Sequence, residues 1–139
     1  MSPRIRVRQQ APARIVIVDD HDLARSGLRK LLAGAPGLEI VGEARSAEQA
    51  LGLCKELQPD LVLMDVRLPD MDGLAATRAI RQSCTEARVI LFTMYEADDY
   101  AHEAMRAGAS DYLLKGATRR ELVEALRRAL GRPMPSQQG

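Results

Sequence analysis

The chain of 139 residues is long enough for one domain with a proper core and too short for two ordinary ones. Hydrophobic residues make up 46% and charged residues 28% of the sequence, which is the balance of a globular protein and not of a disordered or fibrous one. The formal net charge is only +1, so we expect neither nucleic acid nor an anionic membrane to be bound by this chain alone.

The chain starts with residues 1–13, which have no periodic apolar face and are predicted to be a flexible tail. Five short apolar runs follow, at residues 15–18, 38–44, 61–64, 89–92 and 112–114. The runs are largely apolar and partly β-branched, a pattern typical of strands buried on both faces of a parallel sheet. After the last helix, residues 131–139 are predicted to be a linker or a disordered end.

The segments between the apolar runs have the spacing of amphipathic helices. The predicted buried faces are Leu23, Gly27, Leu28, Leu31 and Leu32 in the first helix and Leu122, Ala125, Leu126, Ala129 and Leu130 in the last. Ser46 with Gln49, and Thr118 with Glu121, predict capping boxes at two helix starts. Strand and helix alternate five times over residues 14–130, which predicts one α/β domain with a doubly wound, five-stranded parallel sheet.

Polar residues follow four of the predicted strands: Asp19 and Asp20, Asp65, Thr93, and Lys115. Open parallel sheets bind ligands at the carboxyl ends of their strands, so we expect these side chains to meet there. Two carboxylates about 4 Å apart repel each other by roughly 4 kcal/mol at a protein surface, a cost that Mg²⁺ would remove. Asp65 can then attack phosphorus, with Lys115 and Thr93 contacting the phosphate. Taken singly, each residue is an ordinary turn former or solvated charge.

The remaining reactive side chains predict no further site. Cys54 and Cys84 stand in predicted helices without the spacing of a metal or disulfide pair, so we expect two free thiols that pack as small hydrophobes. His21 and His102 also lack the spacing of a metal site. Because the sequence has no long apolar span and no run typical of a signal peptide, we expect a cytoplasmic protein.

Four segments, residues 15–22, 59–73, 91–93 and 107–115, resemble the receiver domains of bacterial two-component response regulators. The resemblance covers about residues 14–130, and its first and last segments are most similar to the NarL/FixJ (LuxR-type) subgroup. It implies the flavodoxin-like fold of CheY-like proteins, with three α/β/α layers. It also implies that Asp65 accepts a phosphoryl group from a phosphohistidine of a sensor histidine kinase. Such a protein is a phosphoacceptor switch and not an enzyme, apart from Mg²⁺-dependent self-phosphorylation and autodephosphorylation.

The resemblance implies roles for neighbouring residues as well. Asp20 would bind Mg²⁺ directly, Asp19 largely through water, and the backbone carbonyl of Arg67 would be the third protein ligand. Thr93 and Tyr112 match the switch pair of the family, in which the hydroxyl moves toward the phosphate and the aromatic ring follows inward. The alternative for Tyr112 is an ordinary strand aromatic.

Two positions depart from the family pattern. Gly116 replaces the proline that often follows the lysine, which predicts a more mobile loop and a less fixed lysine. Met94 follows Thr93 where a small residue is frequent, and we hypothesise that Met94 and Tyr95 crowd the site and slow attack by water on the acyl phosphate. In the loop after Asp65, Asp70 and Asp72 are expected to be turn and N-cap residues, not metal ligands.

The output of the switch has two interpretations. Subgroup members usually carry a helix-turn-helix DNA-binding domain after a linker, for which 139 residues leave no room. The chain is therefore either the receiver of a longer transcription regulator, which we favour, or a stand-alone receiver that signals by contact. We expect phosphorylation to shift a surface of the fourth helix, fifth strand and fifth helix. The sequence leaves open whether a homodimer forms through that surface or through the first and fifth helices.

Two other classes of function compete with a receiver. A Mg²⁺-dependent phosphatase-like enzyme also uses aspartates at strand ends, but the haloacid dehalogenase type requires Asp-x-Asp after the first strand, whereas here Asp19 and Asp20 are adjacent. A pseudo-receiver binds partners without phosphorylation, and the presence of all the chemical residues argues against it.

Overall fold

The structure is a computed structural model that describes residues 11–94 and 98–132. In these residues five strands alternate with five helices: β1 (Ala13–Val18), α1 (Asp22–Leu32), β2 (Leu38–Ala44), α2 (Ala47–Leu57), β3 (Leu61–Asp65), α3 (Gly73–Ser83), β4 (Arg88–Thr93), α4 (Asp98–Arg106), β5 (Asp111–Leu114) and α5 (Arg119–Leu130). Most of the two predicted tails lies outside the described residues, and Ala13 already belongs to β1. No described helix has the length and apolar composition needed to cross a membrane.

The five strands form one parallel sheet in the order β2-β1-β3-β4-β5. The chain moves outward from β1 to β2, returns to β3 on the other side of β1, and then continues to β5. This order is that of a doubly wound sheet, in which the strand order reverses beside β1 and β3. The predicted fold class is confirmed, and the reversal leaves a crevice at the carboxyl ends of these two strands.

Alternate strand residues pack on opposite faces of the sheet and build two apolar cores. Side chains such as Ile17, Leu63 and Phe92 pack with α1 and α5 on one face. Side chains such as Val18, Met64 and Leu91 pack with α2, α3 and α4 on the other. The central strands are buried on both faces, which explains why their sequences are continuously apolar and not alternating. Helices cover the sheet on both sides, as the three-layer prediction requires.

The predicted buried face of α1 is partly wrong. Leu28 and Leu32 are buried, whereas Leu23 is 87% exposed and Gly27 is exposed. Successive residues of a helix are rotated by about 100°, so Leu23 and Leu28 lie about 140° apart around the axis and cannot share the centre of one face. Leu23 stands in the first turn of α1, beside the carboxyl ends of the strands, and remains in solvent.

The helix caps show where local sequence determines the fold. Thr118 and Glu121 form the predicted capping box at the start of α5. At α2, the Ser46 side chain accepts a hydrogen bond from the Gln49 backbone, but the Gln49 side chain accepts from the backbone of Arg45, so the second half of that box is wrong. Cys84 lies just past α3 and not inside it.

Gly73, the first residue of α3, is a position that tolerates no side chain. A Cβ there would lie 2.7 Å from the Cα of Val66 and 3.1 Å from its carbonyl oxygen, both backbone atoms that cannot move aside separately. Gly52 is the matched control, because it is exposed inside α2 and a Cβ there meets nothing within 4 Å.

We therefore expect Gly73→Ala to lower the free energy of unfolding by about 1–3 kcal/mol through overpacking. Gly52→Ala should raise it by up to about 1 kcal/mol, because alanine restricts the unfolded chain and favours helix. Urea unfolding of the two variants and the wild type measures both effects. Equal stability of Gly73→Ala and the wild type would contradict the close approach of α3 to Val66.

Candidate functional site

The register of the sheet and the alternation of side chains bring three charged residues together. Asp19, Asp65 and Lys115 follow β1, complete β3 and follow β5, respectively. Each lies two residues after a side chain that faces α1 and α5, namely Ile17, Leu63 and Leu113. Val18 pairs with Met64, so Asp19 lies beside Asp65 at the sheet edge. The three side chains thus extend from the same face of the sheet.

Lys115 lies between the two carboxylates. Its Nζ donates to Asp19 Oδ2 at 2.7 Å and to Asp65 Oδ2 at 3.1 Å. The backbone N–H of Lys115 donates to the carbonyl of Thr93 at 2.7 Å, which fixes the start of the lysine side chain next to β4. Side-chain exposure is 1% for Asp19, 8% for Asp65 and 15% for Lys115, so solvent screens these interactions weakly.

The pKa shifts of this pair follow from burial opposed by contact. Burial by itself raises the pKa of Asp19, but the hydrogen bond from Lys115, the backbone N–H of His21 and the lysine charge together outweigh it and hold the pKa below its ordinary value. Burial likewise lowers the pKa of Lys115, and the two carboxylates outweigh it and raise the pKa above the ordinary value. Asp19 is therefore ionised and Lys115 charged at neutral pH.

Asp20 and His21 complete an acidic cluster at this edge. One ligand atom each from Asp19, Asp20, His21 and Asp65 lies within 4.8 Å of the others. His21 Nδ1 is hydrogen-bonded to Asp19 Oδ1 at 3.1 Å. It is equally close to Asp20 Oδ1, but without the geometry of a hydrogen bond, and that buried oxygen has no hydrogen-bond partner among the described residues. Oxygen atoms clustered around such an unsatisfied carboxylate oxygen fit a hard divalent cation.

The loop after β3 folds back against the end of that strand. The backbone N–H of Arg67 donates to Asp65 Oδ1 at 3.1 Å, while the N–H of Gly73 donates to the carbonyl of Val66 at 2.7 Å. Arg67 also pairs with Asp72 in a short antiparallel bridge. The predicted use of the Arg67 carbonyl as a metal ligand stays a prediction, and the residue itself is exposed.

Asp70 and Asp72 were expected to be turn and N-cap residues, and each accepts hydrogen bonds at the start of a different helix. Asp72 is the N-cap of α3 and accepts from two backbone N–H groups of its first turn. Asp70 accepts from the backbone N–H groups of Ala47 and Glu48, both at 3.0 Å, at the start of α2. These backbone hydrogen bonds, the one from Ala47 foremost, lower the pKa of Asp70. Asp70 thereby fastens the loop after β3 to α2.

Thr93 and Tyr112 lie on the other face of the sheet edge. Thr93 is buried, and Leu91, two residues earlier, pairs with Tyr112 in the register of β4 and β5. The Tyr112 ring contacts Tyr100 of α4, with the ring centroids 5.7 Å apart and the planes at 46°. The buried Tyr100 hydroxyl has no hydrogen-bond partner among the described residues, and burial chiefly raises its pKa to about 12. Tyr112 thus packs as part of an aromatic pair.

The two departures from the family pattern lie at one cavity. A cavity of about 710 Å³ between β5 and α5 is lined by residues that include Met94, Tyr112, Lys115 and Gly116. Met94 is 72% exposed, so its side chain stands at the rim. A Cβ at Gly116 would meet nothing within 4 Å. Tyr95, which was expected to crowd the same site, lies outside the described residues.

Three residues that lie at or beside the site were not predicted from the sequence. His21 was dismissed for its spacing, although its position directly after two aspartates was a usable signal. Arg25 of α1 donates to the backbone carbonyl of Asp19 at 2.6 Å, and Tyr100 of α4 contacts Tyr112. Neither Arg25 nor Tyr100 had a signal in the sequence, because each contact joins separate elements.

The two cysteines are free and buried, as predicted. Burial, and secondarily the neighbouring Cys84, raise the pKa of the Cys54 thiol to about 12. A thiol with so high a pKa carries almost no thiolate at neutral pH, so it packs as a small hydrophobe.

Comparison with known proteins places this site in a family. Residues 15–127 match the response regulator receiver domain. The chain belongs to that family. The response regulator GacA of Pseudomonas aeruginosa is 44% identical over 114 residues, which are 82% of this chain and 53% of that protein. The response regulator UvrY of Escherichia coli is 40% identical over 113 residues, 81% of this chain and 52% of that protein. The chain spans about half the length of these curated relatives.

Solved receiver structures agree with the subgroup. The signal receiver domain of NarL from Mycobacterium tuberculosis is 35% identical, with a TM-score of 0.83, and the match covers 87% of this chain and 98% of that one. A LuxR-family response regulator from Aurantimonas is 43% identical, also with a TM-score of 0.83, and the match covers 92% of each chain. The receiver is thus of the NarL/FixJ (LuxR-type) subgroup, as its first and last segments indicated.

The contact of Asp70 with α2 predicts a pH-dependent contribution to stability. A carboxyl whose pKa is lowered by folding stabilises the protein above its unfolded pKa of about 3.9, and this contribution is lost as the pH falls through the folded value. We expect Asp70→Ala to cost about 1 kcal/mol at pH 7, as for the loss of a helix cap, and progressively less below pH about 4. Thermal unfolding between pH 7 and pH 3 measures the difference.

The matched control is Glu56→Ala, which removes an exposed acidic side chain from the same helix. It should change stability by less than about 0.5 kcal/mol. A cost for Asp70→Ala that stays constant down to pH 3 would show that the ionised carboxylate is not responsible.

Proposed function

We propose that this receiver is a phosphorylation-dependent switch that carries a phosphoryl group on Asp65. One observation supports this most directly: the Asp65 carboxylate stands at the end of a central strand, against the ammonium of Lys115 and beside Asp19. A carboxylate held next to a fixed positive charge is suited to acquire a phosphoryl group, because the new negative charge is stabilised where it forms.

We propose Mg²⁺ as the cofactor of this reaction. Asp20 and Asp65 would bind it through carboxylate oxygens, Arg67 through its backbone carbonyl, and Asp19 largely through water. The buried Asp20 Oδ1, without a hydrogen-bond partner in the described part of the chain, supports this choice. His21 Nδ1 lies in the same cluster, but Mg²⁺ prefers oxygen ligands. When bound, Mg²⁺ supplies positive charge to the oxygens of the phosphoryl group.

Asp65, Lys115 and Thr93 have different roles in the phosphoryl transfer. An oxygen of Asp65 forms a bond to phosphorus while the bond from phosphorus to the donor breaks, and the donor group leaves with that electron pair. With a phosphohistidine donor, the bond that breaks is P–N and the leaving group is imidazole. Lys115 neutralises charge on the phosphate, and the buried Thr93 donates its hydroxyl to it. The acyl phosphate is later hydrolysed, so turnover is limited to self-phosphorylation and autodephosphorylation.

The readout of the switch is proposed to run through Thr93 and Tyr112. Both extend from the face of the sheet that α2, α3 and α4 cover, so a displacement of Thr93 toward the phosphate changes the space beside Tyr112. Inward movement of the Tyr112 ring would change the distance and angle of its contact with Tyr100. Since Tyr100 lies on α4, the movement of the Tyr112 ring would alter the predicted output surface, which is formed by α4, β5 and α5.

The partners of the whole protein follow from its relatives. We propose a sensor histidine kinase as phosphoryl donor, and transcription control through a LuxR-type DNA-binding domain in the remainder of a longer protein, since the chain spans half the length of GacA and UvrY. A homodimer is proposed as one form of output. The two free thiols accord with a reducing compartment, and we propose the cytoplasm. The alternatives are a stand-alone receiver or a phosphatase-like enzyme.

The assignment of Asp65 is tested with acetyl phosphate and Mg²⁺ on the purified chain. We expect intact mass spectrometry to show one added phosphoryl group on the wild type and none on Asp65→Asn, because the amide is not a nucleophile for phosphorus. Asp60→Asn is the control, since Asp60 is an exposed aspartate that precedes the same strand. It should be modified like the wild type.

The same experiment separates the competing functions. Undiminished modification of Asp65→Asn would contradict the assignment, and an unmodified wild type would indicate a pseudo-receiver. Release of many equivalents of phosphate per protein molecule, without a stable adduct, would indicate a phosphatase-like enzyme.

The side chain of Met94 is expected to affect the lifetime of the acyl phosphate. We predict that Met94→Ala loses its phosphoryl group several-fold faster than the wild type, because removing the thioether opens the rim of the cavity beside Lys115 to water. Phosphate loss after removal of the donor gives the two rates. Met105→Ala is the control, an exposed methionine outside the cavity lining that should leave the rate unchanged. Equal lifetimes for wild type and Met94→Ala would exclude the crowding hypothesis.

A further inference from the structure

Arg25 of α1 donates hydrogen bonds next to the acidic cluster at the carboxyl ends of the strands. Its Nη1 atom donates to the backbone carbonyl of Asp19 at 2.6 Å. The Nε atom donates to Glu43 of β2 at 3.1 Å, and Nη2 donates to Asp22 at 2.5 Å. The side chain is only 12% exposed. All three nitrogens of the guanidinium are therefore used, each on a different element or loop.

The position of the Arg25 guanidinium is electrostatically unfavourable unless its hydrogen-bond partners compensate. Arg25 stands in the first turn of α1, where the helix dipole disfavours positive charge. Burial by itself lowers the pKa of Arg25, yet the hydrogen bonds that Arg25 donates to the carboxylates of Asp22 and Glu43 outweigh this effect and raise the pKa. Arg29 lies one turn later. Among the three partners of Arg25 it contacts only Glu43, whose two carboxylate oxygens accept from it at 2.7 and 2.6 Å. Arg25 differs from Arg29 in its contacts with Asp22 and with the Asp19 carbonyl, and only the second of these reaches the backbone of the acidic cluster.

That contact fixes the peptide bond between the two aspartates. The N–H of Asp19 donates to the carbonyl of Ala44 at 3.0 Å, and its carbonyl accepts from Arg25, so the backbone is held on both sides of Asp19. The Asp19 carbonyl belongs to the planar peptide unit that continues to the Cα of Asp20. The direction in which the Asp20 carboxylate leaves the backbone therefore depends on the Arg25 contact.

We propose that Arg25 is a positioning residue for the divalent cation, which sets the orientation of Asp20 through the Asp19 carbonyl. The inference rests on the proposed function of the site. Arg25 does not touch the cation or the phosphoryl group, and it acts as an outer partner of the ligands. Outer partners of metal ligands typically change metal affinity by about 10–100-fold when they are removed.

The test compares Arg25→Met with Arg29→Met. Both variants remove a guanidinium that contacts Glu43, and only Arg25→Met releases the Asp19 carbonyl. Titration with MgCl₂, followed by the backbone amide resonances at the site, measures affinity without any phosphorylation. We expect the half-saturating Mg²⁺ concentration to rise about 10-fold in Arg25→Met and to change by less than about twofold in Arg29→Met.

Phosphorylation by acetyl phosphate gives a second readout. A positioning role through the cation predicts a slow rate for Arg25→Met at low Mg²⁺ and recovery to near the wild-type rate at saturating Mg²⁺. A rate that stays low at saturation would overturn the proposal, because it would place the effect in the chemical step or in the fold. If circular dichroism shows that Arg25→Met does not fold, Arg25→Gln replaces it, since the shorter neutral amide keeps polarity but loses the guanidinium fork.

The outcomes separate this inference from the proposed function. Unchanged Mg²⁺ affinity in the folded Arg25 variant, or an equal loss in Arg29→Met, overturns the role of Arg25 even if Asp65 is phosphorylated normally. A wild type that binds Mg²⁺ but accepts no phosphoryl group overturns the proposed function, while weaker Mg²⁺ binding by the Arg25 variant would still support the positioning role.

Discussion

The arrangement of the site depends on one ammonium group placed between two buried carboxylates. Asp19 and Asp65 end neighbouring strands and would repel each other by several kcal/mol if they were uncompensated at this depth. Lys115 donates to both of them, and its own backbone is fixed by the carbonyl of Thr93. The order of the strands requires the lysine to reach past the end of β4 to do so. A long, flexible side chain with a compact charge suits this span better than the planar guanidinium of arginine.

Much of the fold was predictable because doubly wound sheets have a simple sequence pattern. Largely apolar runs predicted all five strands to within about two residues, and the helical spacing predicted the helices that cover the sheet. The errors came from side-chain geometry in three dimensions. Leu23 was assigned to the core because it is apolar, although its angle around α1 places it in solvent. Gln49 was assigned to a capping box, but its side-chain oxygen accepts from the backbone N–H of Arg45, one residue before the N-cap Ser46.

The candidate site was predictable to the extent that strand ends determine it. The alternation of side chains along a strand brings Asp19, Asp65 and Lys115 together, and this follows from sequence position alone. Contacts that join a loop to a distant helix do not follow from it. Asp70 was expected to be a turn or N-cap residue, and its partner helix, which begins 23 residues earlier in the chain, had no signal in the sequence. Arg25 shares a helix face with the buried Leu28 and Leu32, at i, i+3 and i+7, but only the tertiary fold shows that it binds the Asp19 carbonyl.

The ring contact between Tyr100 and Tyr112 has a spectroscopic consequence. The chain contains no tryptophan and three tyrosines, so its near-ultraviolet absorption comes mainly from phenol rings. At a centroid separation of 5.7 Å two phenol transitions couple, and the coupling depends on the distance and the angle between them. Circular dichroism in that wavelength range is therefore sensitive to the geometry of this one pair, which joins α4 to β5. The molecule carries an intrinsic, label-free optical reporter at the edge of its sheet.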